Sequence, residues 1–590
     1  VIGDLLLSFG ETPTHIPSRS AASAGNLSLS GPNWQMFEFA ANAEWRGLPC
    51  RSFSHSAWSF WIYGQLYEQS RLLDELPPTG ALSEAWINEA VRQMNGHFLV
   101  LAWQAEQKAW HVWTNRFGTL HAYHTSNGKR AAIGTFSPAV AAAASNRELD
   151  GSGLAGFFAF GFFPQDQTHY RDLRIIPPAT HSVFNEQGHL SMQERYWDWW
   201  HTPKEHRSYD DTVAEFARIF QEVMAVHLSH RRIAIPISGG LDSRSTVAAV
   251  RADQGSDYWS YSYGYERKSI ETKIARQVAA ARNIPFSAFE IRPYLFEDIQ
   301  ALSAWTEGFA DITLPRQASV LDELSSRADW VLAGLWGDVW LDTSSSGGEM
   351  ASAVSKQELA GIALKKMQKR GRNWLFDNLI ANFSGGIQVQ ELLAEGVQAE
   401  LAAIDPSIEP DFRLKAFKTD QWSFRWSLTS MRVFQSAVMP RFVFYDRRLT
   451  DFFCTVPASF LVGRRLQIDF LKRYARDLAK ITWQVYDANL FNYQHFDTWQ
   501  LPKRAVKKAW RLLSRSPNYS RNWELQFLSP EGVRGLDRWL MQPGLRLHDL
   551  TSRSAIQALL TDFFANPRDP ASGYTVSMLL TFSAWLELYG

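Results

Sequence analysis

The chain has 590 residues, too many for one ordinary hydrophobic core, so at least two domains are expected. Its 60 lysines and arginines balance 60 aspartates and glutamates, which removes any global electrostatic argument for nucleic acid, a membrane or a strongly charged partner. Apolar residues make up 45% of it, with 25 tryptophans, so it is a globular chain; its two cysteines, Cys50 and Cys454, lie far apart and suggest neither a disulfide framework nor a structural zinc site.

The first seven residues, Val1-Ile2-Gly3-Asp4-Leu5-Leu6-Leu7, lack a basic region before their short apolar run, and no apolar stretch is long enough to cross a bilayer. A soluble cytoplasmic protein is expected, with Val1 read as a start codon. Residues up to about 200 read as short β segments, among them Gly96–Trp103 and Trp110–Thr114. Ser182–Phe184 and His189–Ser191 flank the turn Asn185-Glu186-Gln187-Gly188 and read as a hairpin. The polar stretch from Asp198 to Tyr209, which contains Pro203, marks a boundary between units 1–200 and 210–590.

Beyond that boundary, Val213, Phe216, Ile219, Phe220, Val223 and Met224 have helical spacing. Ile233–Ile237 then reads as a buried strand that feeds Ser238-Gly239-Gly240-Leu241-Asp242-Ser243, with a helix from Ser245. Strands at Tyr258–Tyr263 and Trp330–Ala333, with a helix at Ser269–Arg282 between them, imply a parallel sheet. From about Lys356 helical patterns dominate. The expected fold is α/β with α+β: a β-rich sandwich, then a parallel-sheet domain with a helical C-terminal lobe.

A Gly- and Ser-rich turn between strand and helix lets backbone N–H groups approach an anion, and phosphate is the expected guest. Asp242 alone would repel phosphate; its presence makes sense if it holds Mg²⁺ that bridges to the phosphates. A glycine pair taken alone would equally make a tight turn, with Asp242 as a helix cap.

The complete SGGLDS string after a hydrophobic strand resembles the pyrophosphate loop of the ATP pyrophosphatases, specifically the asparagine synthetase family. Asn95-Gly96-His97-Phe98, Arg116-Phe117-Gly118 and Asp150–Thr168 are similar to the glutaminase-domain signatures of that family, which implies an Ntn-hydrolase-like sandwich. Tyr261-Ser262-Tyr263-Gly264 is similar to its adenine-side strand end, and Arg441-Phe442-Val443-Phe444-Tyr445-Asp446 to a further stretch. Gly334-Leu335-Trp336-Gly337-Asp338 is similar to its second metal loop. The resemblance thus implies ATP and Mg²⁺ as cofactors, Asp242 and Asp338 as metal ligands, and Ser238, Gly239, Gly240, Leu241, Ser243, Ser262, Gly264, Gly334 and Gly337 as nucleotide contacts. The structural alternative for Asp338 is a solvent-facing loop carboxylate.

Three departures qualify this reading. Ile2 stands where glutamine-dependent members carry their nucleophilic cysteine, so glutamine hydrolysis is not expected. Leu335 replaces the family's Glu or Tyr and cannot accept a proton, which leaves Glu307, Asp311 or Glu349 as candidate bases. Tyr486 stands near the family's lysine, with Lys480 and Lys503 as candidate replacements. The expected activity is amide formation from a small-molecule or peptide carboxylate and an amine or ammonia, through an acyl-adenylate. A lactam or lasso-peptide-like macrolactam, a glycan uronamide, and a catalytically weakened nucleotide-binding subunit are the alternatives. A homodimer or a pathway partner is compatible with the sequence.

Overall fold

The computed structural model describes the chain except for residues 12–14, 21–24, 78–81, 146, 231, 252–256, 267–268, 345–355, 384–387, 496–501, 503–505, 507–518 and 520. The N-terminal region folds into two six-stranded antiparallel sheets. Alternation along the strand Ile2–Phe9 sends Leu5, Leu7 and Phe9 into a core shared with Trp61, Leu99, Trp110 and Val112 of the opposing sheet. Leu6 points the other way and packs with Val140 of the helix Ser137–Ala144. On the second sheet, Phe60, Ile62, Val100 and Ala102 likewise turn outward, onto Ile87, Ala90 and Val91 of the helix Glu84–Gln93. The inner strands of each sheet are therefore buried on both faces, which is why Gly96–Gln104 reads as an almost unbroken apolar run. Thr180–Phe184 pairs with Leu190–Arg195 through the expected turn, where Gly188 takes a φ of 77°.

The helix Tyr209–His227 starts on Ser208, whose side chain accepts the Asp211 N–H, and leads to a five-stranded parallel sheet. The spatial order is Phe286–Glu290, Tyr258–Gly264, Ile233–Pro236, Trp330–Ala333, Met439–Phe442. Chain order runs outward in one direction from Ile233–Pro236 and then restarts on its other side at Trp330–Ala333. The crevice between the loops leaving those two strands is the topological switch point, where ligands bind in open α/β sheets. The remainder is helical, closing on Pro570–Tyr589, which is buried along most of its length. No helix among the described residues is long and apolar enough to cross a membrane.

Candidate functional site

Both loops at the switch point are shaped by missing side chains and a few tethers. In the first loop, the Ser238 N–H donates to Ser243 Oγ at 3.0 Å, and the Gly240 N–H donates to Ser238 Oγ at 3.2 Å. A Cβ on Gly240 would meet only that hydroxyl, so the crest of the turn is open to a ligand. Gly239 serves differently: a Cβ there would lie 2.2 Å from Gln484 Oε1, so its absence lets Gln484 lie across the loop. Arg244, on the helix Asp242–Ala248, is fully buried and donates to the carbonyls of Leu478, Ile481 and Thr482 at 3.3, 2.9 and 2.8 Å. It thereby ties the 478–484 segment to the loop.

The second loop leaves Trp330–Ala333 and enters the short helix Gly337–Trp340 through Trp336, which holds a left-handed φ of 74°. A Cβ on Gly337 would sit 2.8 Å from the Asp242 carboxyl carbon and equally close to the Phe444 ring. Glycine at 337 is thus what allows the Asp242 carboxylate to reach the loop that carries Asp338. Gly337→Ala is expected to crowd both Asp242 and the buried Phe444 ring, lowering turnover by the ~100-fold that a 1 Å misplacement can cause and lowering the melting temperature as well, both measured against the wild type.

Asp242 accepts a hydrogen bond from Gln467 Nε2 at 3.1 Å and is ion-paired with Arg464. Burial raises its pKa above the ordinary aspartate value and the negative charge of Asp338 adds to this, while Arg464 and Gln467 oppose it. Beside it lies a cavity of about 400 Å³ whose wall includes Asp338, Lys418, Arg464, Trp483 and Tyr486. Lys418 approaches from the helical lobe with its ammonium 5.9 Å from the Trp336 ring and 5.7 Å from that of Trp422. Burial lowers its pKa, and the Asp338 carboxylate counters that.

Ser238, Ser262 with Gly264, and Gly334 lie where three adjacent parallel strands end, on the same edge of the sheet as Asp242 and Asp338. Nothing lies within 4 Å of a Cβ built on Gly334, so the crevice has room there. Glu307 does not join this group. Its Oε1 accepts from Arg19 and Arg432 and its Oε2 accepts from the Ser137 N–H at 2.7 Å, so both oxygens are committed to a buried network that joins the N-terminal sandwich to the helical lobe. Asp311 is likewise occupied, by Thr313 and Ser577. Lys480 is exposed at the end of the short helix Arg476–Ala479 and does not line the cavity. Lys503 and Glu349 lie outside the described residues. The cations at the cavity, Lys418 and Arg464, were not picked out from the sequence: neither stands in a motif, although Gly463-Arg464, both left-handed, hints at a backbone held for a purpose.

Residues 215–338 match the asparagine synthase family model, a span that contains both loops and ends on Asp338, and residues 81–197 match the glutamine amidotransferase domain model. No curated protein matches the chain. Among solved structures it is similar to an allosteric regulatory enzyme of purine biosynthesis, at 11% identity over 49% of this chain and 59% of that one, with a TM-score of 0.21. A glutamine phosphoribosylpyrophosphate amidotransferase from B. subtilis, complexed with ADP and GMP, gives 10% identity over 48% and 65%, with a TM-score of 0.21. An NH3-dependent NAD synthetase from Campylobacter jejuni subsp. jejuni gives 14% identity over 36% of this chain and 93% of that one, with a TM-score of 0.17. The chain spans less than two thirds of the first two.

Proposed function

We propose that this chain, a member of the asparagine synthetase family by its asparagine synthase and glutamine amidotransferase segments, activates a carboxylate as an acyl-adenylate and transfers it to an amine. The observation that carries this reading is the approach of Asp242 to the Asp338 loop at the switch point of the parallel sheet, an approach that only glycine at 337 permits. The two carboxylates are hard oxygen donors suited to Mg²⁺; in this structure Arg464 offsets the charge of Asp338 at Asp242, and burial is what holds the Asp242 pKa above the ordinary value. Magnesium bound there would neutralise phosphate charge as pyrophosphate leaves.

The chain's own residues supply the rest. The open turn at Gly240 and the hydroxyls of Ser238 and Ser243 receive the phosphates. A substrate carboxylate in the adjoining cavity attacks the α-phosphorus, pyrophosphate departs, and an amine then displaces AMP from the acyl carbon. Lys418 takes the role expected of Lys480 or Lys503, its ammonium offsetting negative charge on the carbonyl and phosphate oxygens. Lys418→Met is expected to lower single-turnover amide formation by on the order of 10²- to 10³-fold while ATP affinity changes far less. Leu335 offers no base, so the amine is taken up in its neutral form, and the proton it sheds as the amide forms leaves with the phosphate of the departing AMP.

Glutamine is not the nitrogen source in this reading. Cys50 lies within the strand Cys50–His55, where burial pushes its thiol up to about 11, and Cys454 is buried in the other half of the chain, so neither supplies a ready thiolate. Ammonia release from labelled glutamine would overturn this part. The whole reading is tested by ATP–pyrophosphate exchange over a panel of peptides, uronic acids and amino acids. Exchange that requires one carboxylate class supports the ligase and selects among lactam, sugar-amide and amino-acid products. Tight ATP binding with no exchange on any substrate identifies a nucleotide-binding subunit instead.

A further inference from the structure

On the outer face of the second N-terminal sheet, far in sequence from the ATP loops, two imidazoles interrupt an apolar layer. His111 and His181 come from the paired strands Ala109–Thr114 and Thr180–Phe184, with the register His181↔Trp113 and Val183↔His111. That register puts the two histidines diagonally adjacent on one face. Both are buried, at 0% and 2% exposure, among Trp58, Phe60, Trp113 and Ile87. Glu84, the first residue of the helix Glu84–Gln93 that covers this face, brings a carboxylate to them, and one donor atom from each of the three lies within 4.8 Å of the others.

Hydrophobic side chains would fill this layer at lower cost, because a buried imidazole must satisfy its polar atoms. Here His111 Nδ1 and His181 Nε2 face each other at 2.9 Å, while His111 Nε2 is buried with no hydrogen-bond partner. The rings are also held in orientation. Trp113 stacks on His181 at 4.3 Å with a 7° interplanar angle, Trp58 meets His111 edge-on at 4.7 Å, and the Trp113 indole N–H is anchored on Asn88 Oδ1 at 2.6 Å. Burial lowers both imidazoles, so both are neutral near pH 7, each keeping one N–H and one lone-pair nitrogen.

We propose that Glu84, His111 and His181 form a Zn²⁺ site that staples the covering helix to two strands of the N-terminal sheet. Two imidazoles and one carboxylate are a three-residue zinc donor set, with the fourth position left to water on the side of the part-exposed Glu84. Zinc–nitrogen bonds of about 2.0–2.1 Å in tetrahedral array place two nitrogens about 3.3 Å apart, so the facing pair must open by only a few tenths of an ångström. No proton need be lost to solvent: the imidazole that donates in the pair moves its proton to its other ring nitrogen as the metal enters.

The test uses the full-length protein, stripped by chelator, dialysed and titrated with Zn²⁺ alone by calorimetry and metal analysis. One equivalent of Zn²⁺ is expected to bind and to raise the melting temperature. Glu84→Gln, on the solvent side of the cluster, is expected to weaken binding by at least the roughly 10–100-fold that loss of an outer-shell partner alone causes. His111→Asn with His181→Gln should abolish it, and Asp242→Asn should leave it intact, which separates this site from the ATP-binding edge. A wild-type chain that takes up no stoichiometric zinc, or a Glu84→Gln variant that binds as wild type does, would overturn the proposal and leave a plain hydrogen-bonded histidine pair.

Discussion

Asp242→Asn is expected to depress carboxylate-dependent ATP–pyrophosphate exchange by on the order of 10³-fold, because under the proposed function it removes one of the two carboxylates that would hold Mg²⁺, at almost constant shape. The amide keeps the volume that Gly337 accommodates and can still meet Gln467, so the fold should hold and the circular dichroism spectrum should be unchanged. It gives up the ion pair with Arg464, whose guanidinium lies against the Asp242 carboxylate. Asp338→Asn should behave in the same direction, and the double variant should be little worse than either single one, since two carboxylates holding one cation, as proposed, would act as a unit. Raising Mg²⁺ should recover part of the loss. Exchange within tenfold of wild type in Asp242→Asn would remove the carboxylate from the chemistry and with it the assignment of the site.

Glu307→Gln should act through stability instead. Breaking a buried ion pair by neutralising one partner costs roughly 3–5 kcal/mol, and here two arginines lose their acceptor together. The pH dependence has a definite sign. Burial alone would raise the Glu307 pKa, but the Arg19 and Arg432 guanidiniums and the Ser137 N–H outweigh it and hold it below the ordinary value. A depressed folded-state pKa means that the contribution is complete above the unfolded glutamate value of about 4.3 and is lost as the pH falls through the lower folded value. Urea midpoints of the wild type should therefore fall on that acid limb, whereas Glu307→Gln should start lower at neutral pH and show a flatter limb. Equal midpoints at pH 7 would show that the network does not hold the two regions together.

The parts of this protein that were legible from sequence are those whose determinants lie within a few residues of one another. Ser238 to Ser243 follows its own strand and precedes its own helix, so strand, turn and helix are read as one phrase. The hairpin around Asn185–Gly188 is equally local. Strand Phe286–Glu290, an edge strand of intermediate burial, carries no strong alternation, and Met439–Phe442 contains Pro440 and Arg441, so neither announced itself. The cations were illegible for a different reason. Arg464 meets Asp242 across 222 residues, and Lys418 projects from an irregular wide-turn helix, Lys418–Ser427, whose pattern follows no standard period.

Glu307 shows the converse case. A buried acid destined for an ion pair and a catalytic acid are the same letter in a sequence. What distinguishes them here is the arrival of Arg19 and Arg432 from 288 and 125 residues away. The glycines were more informative than the acids: Gly239 and Gly337 each mark a place where another side chain must come within van der Waals distance of the backbone, and both follow the C-terminal ends of adjacent parallel strands.

The buried Arg244 has one further consequence. Its three carbonyl contacts splice a turn near the middle of the chain to a segment some 234 residues later, so the two form one mechanical element. Trp483 and Tyr486, with ring centroids 4.5 Å apart, ride on the far side of that element and face the cavity. Under the proposed nucleotide-binding reading, a displacement of the turn would be passed through Arg244 to the segment that carries the Trp483 indole.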